Sequence, residues 1–360
     1  MKGYVYRYEQ LANKPVKFLL FIKKTPVPKA IELPDNIKSN FNTEISIRDI
    51  LDVLVEIKIT EAGNRQLRNE HLLRLLKGAI LNTKHVYVTN LYHGGHISFV
   101  TSDRLWVSDG RSLILTNSKG NNLHRLFDVS KYFGVHVYSK QCRRVDYVDE
   151  DWNINKLSAD NTTKSTLIKR KELWEPWCIC HSASTGDLLV LMRYDSDNAT
   201  IPLSDVKVIR YNSTLQPTQT IQNHKTGTLL YSEPIYITEN RNGDIVVSDS
   251  INGVVVTDRK GKYRFTYRGP PEEFLLEFLM PHGICVDAFL NILICSRSDH
   301  RIHMIHKDGH LLSILSTKEA GVIEPLGLGY DEKIHLVLMG SGHNNILRVY
   351  KFIERQDYLA

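Results

Sequence analysis

The feature that most constrains this chain is a repeat. A short apolar strand recurs six times, as Leu105-Trp106-Val107-Ser108-Asp109, Val145-Asp146-Tyr147-Val148-Asp149, Leu188-Leu189-Val190-Leu191, Ile245-Val246-Val247-Ser248-Asp249, Ile292-Leu293-Ile294-Cys295 and Ile334-His335-Leu336-Val337-Leu338. Counted from the first residue of each, the steps are 40, 43, 57, 47 and 42, a period that marks a propeller or another stacked array. The 57-residue step contains a polar insertion around Tyr194 to Ser204, which predicts an elongated loop. Each strand is followed by a second one and a turn, as in Val254-Val255-Val256-Thr257-Asp258-Arg259-Lys260-Gly261 and Ile302-His303-Met304-Ile305-His306-Lys307-Asp308-Gly309. Asp-Gly and Lys-Gly supply the positive φ of a tight hairpin, and period-two alternation marks half-buried antiparallel strands.

Ahead of each unit stands another short strand opened by a proline or a glycine, such as Pro176-Trp177-Cys178-Ile179, Pro234-Ile235-Tyr236-Ile237 and Pro281-His282-Gly283-Ile284. Inner strands crowd a central axis, so small residues suit their beginnings. Four short antiparallel strands per unit, six times over, predict an all-β fold, a six-bladed β-propeller spanning 84–360. The ring must also close. The sixth unit runs out after Arg348-Val349-Tyr350-Lys351-Phe352 without an outer strand, while His85-Val86-Tyr87-Val88-Thr89 precedes the first unit with no blade of its own. The strand at 85–89 is therefore expected to complete the last blade and cover its open edge.

The apolar strand, Ser-Asp, a few polar residues and a second strand resemble the NHL repeat. Cys295-Ser296-Arg297-Ser298-Asp299-His300-Arg301-Ile302 and Val247-Ser248-Asp249-Ser250-Ile251-Asn252-Gly253-Val254 carry the pattern, and Asn344-Asn345-Ile346-Leu347-Arg348-Val349 carries it more loosely. The whole of 84–356 is similar to the propeller of TRIM-NHL-like (tripartite motif) proteins. Pro15 to Lys24 and Arg68 to Leu73 resemble the segment that joins coiled coil to propeller there. The resemblance implies a protein-binding propeller that selects substrates or partners for a TRIM-type ubiquitin ligase system, hence a role in protein ubiquitination and proteasomal degradation beside a RING-bearing partner. Because some NHL propellers bind RNA through a basic face, an RNA-binding role in post-transcriptional regulation is the alternative. Family RINGs and B-boxes hold zinc through closely spaced Cys and His, whereas the first cysteine here is Cys142. No zinc ligand carries over.

Charge and cysteine content narrow the partners. Residues 1–29 hold seven Lys and Arg against Glu9 alone, which accounts for the whole net charge of +6. That stretch reads as a basic linker or coiled-coil stub, and the rest of the chain is neutral overall. Five cysteines without paired C-x-x-C spacing argue against a disulfide framework and fit a reducing cytoplasmic setting. The longest early apolar patch, Phe18 to Ile22, is too short to span a bilayer, so no membrane partner is expected.

Residues 30–83 read as a partly helical segment before the propeller. Residues 46–58 allow a helix or a strand, with helix favoured for 47–55; Arg65 to Lys77 shows helical spacing of Leu72, Leu75 and Leu76 with Gly78 as the stop.

An enzyme is the competing class, since calcium-dependent lactonases also use six-bladed propellers. Their metal needs several oxygen ligands from inner strands, and the inner strands here carry no carboxylate before the following turns. A propeller hydrolase is thus a minor alternative, with no catalytic residue, metal ligand or cofactor assigned. His96, His136 and His282 fall near the starts of different inner strands. Three imidazoles can bind zinc or copper, but partly solvated rim residues are the commoner outcome. With Trp177 and Tyr236 they form the candidate binding set. Cys178 and Cys180 read as small buried fillers. Asp109, Asp149 and Asp249 recur once per repeat and so read as structural acceptors of loop N–H groups. Trp106, Trp152, Trp174 and Trp177 read first as packing between blades, an exposed one near the Tyr194 to Ser204 loop being the better binding candidate.

One outcome follows from the cysteine distribution. A RING folds around zinc held by thiolates and imidazoles, and no such cluster precedes Cys142. Incubated with E1, E2, ubiquitin and ATP, the purified chain is expected to build no ubiquitin chains; zinc-dependent ubiquitylation by the chain alone would contradict that expectation.

Overall fold

The structure, a computed structural model, describes residues 72–87, 91–195, 205–270, 279–318 and 321–356. The chain divides into two units at 69/70, of which the second is described. That unit is an all-β, six-bladed propeller of six four-stranded antiparallel sheets. In the first five blades the strands follow one another in sequence from the axis outward. The inner strands are His96–Thr101, His136–Ser139, Trp174–His181, Pro234–Glu239 and Pro281–Val286, and Pro325–Asp331 is the inner strand of the sixth.

The sixth blade is completed out of sequence. Its outer strand is Leu72–Tyr87, paired antiparallel with Ile346–Gln356, with Val86 opposite Leu347 and Leu81 opposite Tyr350. Of the expected closing segment, His85, Val86 and Tyr87 pair with Arg348, Leu347 and Ile346, in a strand that reaches back to Leu72; residues 88 and 89 lie outside the described residues. The helical reading of 65–77 is overturned over Leu72–Lys77, which lies in this strand; residues 65–71 and the helix read at 47–55 lie outside the described residues. The reason is tertiary. An 11-residue strand at Ile346–Gln356 presents a row of unpaired N–H and C=O groups that only another extended segment can satisfy, and that demand outweighs a modest helical preference. The insertion after Tyr194 is described only at its flanks, which are Asp195 and Asp205.

Burial explains why the second and third strands of a blade look alike in sequence. Ile245–Asp249 and Gly253–Thr257 are buried at every position, because the neighbouring blades cover both faces. They therefore read as continuous apolar runs. Outer strands such as Asn122–Leu126 and Tyr263–Tyr267 are partly open and more polar. The apolar clusters run from blade to blade: Trp106 and Leu113 of the first blade pack with Tyr147 and Ile154 of the second and Ile179 and Val190 of the third.

Hairpin turns form as read. At Asp258–Gly261 the N–H of Gly261 donates to the Asp258 carbonyl at 2.8 Å, with Gly261 at φ 79°. Crowding near the axis is met by glycine where nothing larger fits. A Cβ on Gly283 would lie 2.3 Å from the Leu326 carbonyl oxygen of the next blade. The recurrent aspartates bind loops as expected. Asp249 accepts N–H groups from Ser232, Glu233, Ile251 and Asn252, and Asp109 accepts from Tyr92, Arg111 and Ser112. Each pins the loop leading into its blade to the turn between its middle strands.

The strand directions give the ring two unlike faces. The upper face, where inner strands begin, carries the connections between blades and the turns between second and third strands. The lower face carries the remaining hairpins.

Candidate functional site

Three of the inner strands begin with a proline and the third blade's carries one at its third residue, each followed by a break in register: Pro176/Cys178, Pro234/Tyr236, Pro281/Ile284 and Pro325/Leu328. A bulge at this position turns the following side chain out of the ladder. Trp177 is the extra residue of the third blade's bulge, and its indole, partly buried against the core, borders the upper face.

There Trp177 meets two rings that the sequence did not single out as its partners. Tyr132, from the loop entering the second blade, lies 3.8 Å from it between ring centroids, and Trp152 lies 5.6 Å away and nearly parallel at 13°. Tyr132 and Trp152 are themselves stacked at 5.2 Å. The Arg193 guanidinium sits 4.7 Å above the Trp177 ring, a cation–π contact. Tyr132 is 39% exposed. The backbone of Trp152 has φ 63°, the left-handed region that bulky residues avoid. In the equally long turn of the fourth blade the left-handed residue is Gly253, at φ 90°, which corresponds in register to Asn153, one position beyond Trp152.

The rest of the upper face has the same character. Among the described residues the large apolar side chains exposed on it are Tyr92, Phe127, Tyr132, Leu229, Ile251, Met280 and Ile323, against Leu123, Leu311, Leu312 and Ile334 toward the lower face. Arg111 covers Tyr92 at 3.8 Å and Arg125 covers Phe127 at 5.0 Å.

The other four candidates gather at the upper end of the central channel. The His96 and His136 rings are 4.4 Å apart, and Tyr236 meets His96 edge-on at 5.3 Å. The Tyr236 hydroxyl donates to the Gly95 carbonyl, linking the fourth blade to the first across the axis. His282 joins less directly: Phe133 stands between, 5.5 Å from His282 and 6.2 Å from Tyr236. The histidines are not rim residues. His136 and His282 are buried, and burial holds the imidazole of His96 down to about 3, that of His282 to about 4, and that of His136 well below its ordinary value. All three are therefore neutral at physiological pH. One His136 nitrogen, Nε2, lies 3.3 Å from the Trp106 carbonyl oxygen, while Nδ1 of both His96 and His136 is buried without a hydrogen-bond partner.

No group of three or more His, Cys, Asp or Glu among the described residues could hold a metal ion. Cys178, Cys180, Cys285 and Cys295 are buried free thiols, and burial pushes their titration upward. Cys178 and Cys180 are buried, as expected of small fillers, and so are Cys285 and Cys295.

The fold and this site define an all-β six-bladed propeller resembling lyase and gluconolactonase propellers. A protein assigned as a gluconolactonase superposes with a TM-score of 0.57 at 13% identity, covering 80% of this chain and all (100%) of that one. Virginiamycin B lyase from Staphylococcus aureus gives 0.53 at 11%, over 78% and 99% of the two chains. The WD40 propeller domain of Doa1 gives 0.50 at 11%, over 76% and 97%. Such identities show the fold alone. No family model matches the sequence, and no curated protein matches it either.

The buried histidines make stability depend on pH. An imidazole near 6.5 in the unfolded chain and near 3 or 4 in the folded one binds its proton preferentially on unfolding. Stability is then full above about 6.5 and lost as pH falls toward 4. Asp287, raised to about 6 by burial, and Glu175, also raised by burial, work in the opposite direction over part of that range, but two carboxyls oppose these three imidazoles and that of His93, likewise lowered by burial. Denaturant unfolding is expected to show falling stability between pH 6.5 and 4, and His282→Phe to flatten that slope; a pH-independent midpoint would contradict the burial of the three rings.

Proposed function

We propose that this chain is a binding propeller that holds a protein partner on its upper face, anchored on Tyr132, Trp152 and Trp177. The observation that carries this reading is the backbone of Trp152. A left-handed conformation costs a bulky residue on the order of 1–2 kcal/mol. Retaining tryptophan there places an indole in a half-open aromatic cluster with an arginine over it. Exposed Trp, Tyr and Arg at one spot are the composition of an interface anchor.

Protein is favoured over RNA by the way the rings pack. Aromatic platforms for single strands offer free faces to successive bases, whereas Tyr132, Trp152 and Trp177 already contact one another and Arg193 covers Trp177. Their remaining edges suit aliphatic and proline side chains. In the setting implied by the resemblance to TRIM-NHL-like proteins, the partner is a substrate that the propeller delivers to a RING-bearing protein for ubiquitination. Lactonase-type metal chemistry has less support, since no ligand cluster exists among the described residues.

Affinity purification of the intact chain, with mass spectrometry and RNA recovery in parallel, tests the reading when Trp152→Gly and Trp177→Ala are run beside it. Glycine relieves the left-handed strain at 152 by about 1 kcal/mol. Trp152→Gly is therefore expected to lower thermal stability less than Trp177→Ala while losing the same partner proteins. Partners retained by both variants, or RNA as the species lost, would overturn the proposal.

A further inference from the structure

Below the aromatic end, the central channel opens into a cavity of about 220 Å³ lined from all six inner strands. Every blade contributes apolar residues to its walls, among them Phe99, Val137, Ile179, Ile237, Ile284 and Leu328. The volume equals about seven waters at their share of the liquid, suited to a small metabolite rather than a drug-sized ligand. The Tyr236 hydroxyl bond to Gly95 crosses the upper end. Two hydroxyls of the lining, Ser98 on the first blade and Thr238 on the fourth, have no hydrogen-bond partner among the described residues.

The charged groups around the lower mouth are unequally committed. Glu239 is fully buried and accepts from Arg210 Nη2 at 2.7 Å and from the Ser182 and Ser184 hydroxyls. His181 is held at 2.9 Å by Asp146, which also binds Arg144. Asp287 is buried and held by Asn291. What remains is the pair Arg241 and Glu332, 3.3 Å apart, both lining the cavity and both nearly half exposed, at 42% and 48%. Lys140 approaches Glu332 from outside the cavity at 3.5 Å. Exposed ion pairs are weak and open at little cost.

A lone anion at this mouth would face Glu332, and a lone cation would face Arg241 and Lys140. A head group carrying both charges side by side satisfies each in turn, and an apolar substituent on it points into the six-walled cavity. We propose that the lower end of the channel binds a free α-amino acid with an apolar side chain, its carboxylate on Arg241 and its ammonium on Glu332. The ligand exchanges the internal pair for two charge-assisted contacts, and its side chain displaces channel water. This site lies on the face opposite the aromatic cluster and does not depend on the protein-binding reading.

The full chain is titrated calorimetrically with L-leucine, L-methionine and L-phenylalanine, with L-leucinamide, N-acetyl-L-leucine and inorganic phosphate as comparators. Saturable binding of at least one free amino acid is expected, with affinity lower by about tenfold or more for leucinamide and N-acetyl-leucine than for leucine. Arg241→Gln and Glu332→Gln should each lose about tenfold with thermal unfolding unchanged, both residues being exposed. Ser98→Phe fills the cavity beneath an intact ion pair and should abolish binding. Absence of saturable binding by all three amino acids overturns the proposal. So does equal affinity for the blocked derivatives or for phosphate, or wild-type affinity in folded Arg241→Gln and Glu332→Gln.

Discussion

Everything in this propeller depends on the pairing of its first described strand with its last. A four-stranded blade is apolar on both faces and cannot bury either alone, so each needs a neighbour on both sides. A linear run of blades would leave two apolar faces exposed at its ends. Folding Leu72–Tyr87 onto Ile346–Gln356 builds the sixth blade from both ends of the propeller and joins those faces. Only when the ring is shut do six inner strands converge on one axis. The crossing of Tyr236 to Gly95, the burial of three histidines and the cavity beneath them are all consequences.

Closure also separates the two faces. The upper connections are held by aspartates such as Asp109 and Asp249, so the apolar and aromatic residues they display stand on a rigid frame. Rigid display lowers the ordering cost of binding. The lower hairpins are mostly polar, and their charges are used around the channel mouth, where turns from the second, fourth and sixth blades meet through Lys140, Arg241 and Glu332.

The repeat was legible because its signals are local: period-two alternation, Gly and Asp at turns, and a recurring Ser-Asp. Closure was legible as a deficit of one strand, although its extent was not, since Leu72, Leu75 and Leu76 obey helical spacing until the edge at Ile346–Gln356 decides otherwise. The binding residues were harder to read. Trp177 and Tyr236 stood out as aromatics at the starts of inner strands, but their surroundings depend on bulges after Pro176 and Pro234 that sequence does not show. Tyr132 and Trp152 come from different loops and meet only in three dimensions. His96 and His136 meet, His282 stands apart behind Phe133, and burial makes neutral core residues of rings that the sequence suggested as rim residues.

Native-state hydrogen exchange on the closing pair tests the account most directly. If the ring is one cooperative unit, amides of Ile80–Tyr87 and of Ile346–Ile353 exchange only by global opening, with the same protection as the fully buried strand Ile245–Asp249. Rapid exchange of Ile80–Tyr87 while Ile245–Asp249 stays protected would show a propeller that stands without its closing strand, and would contradict the account.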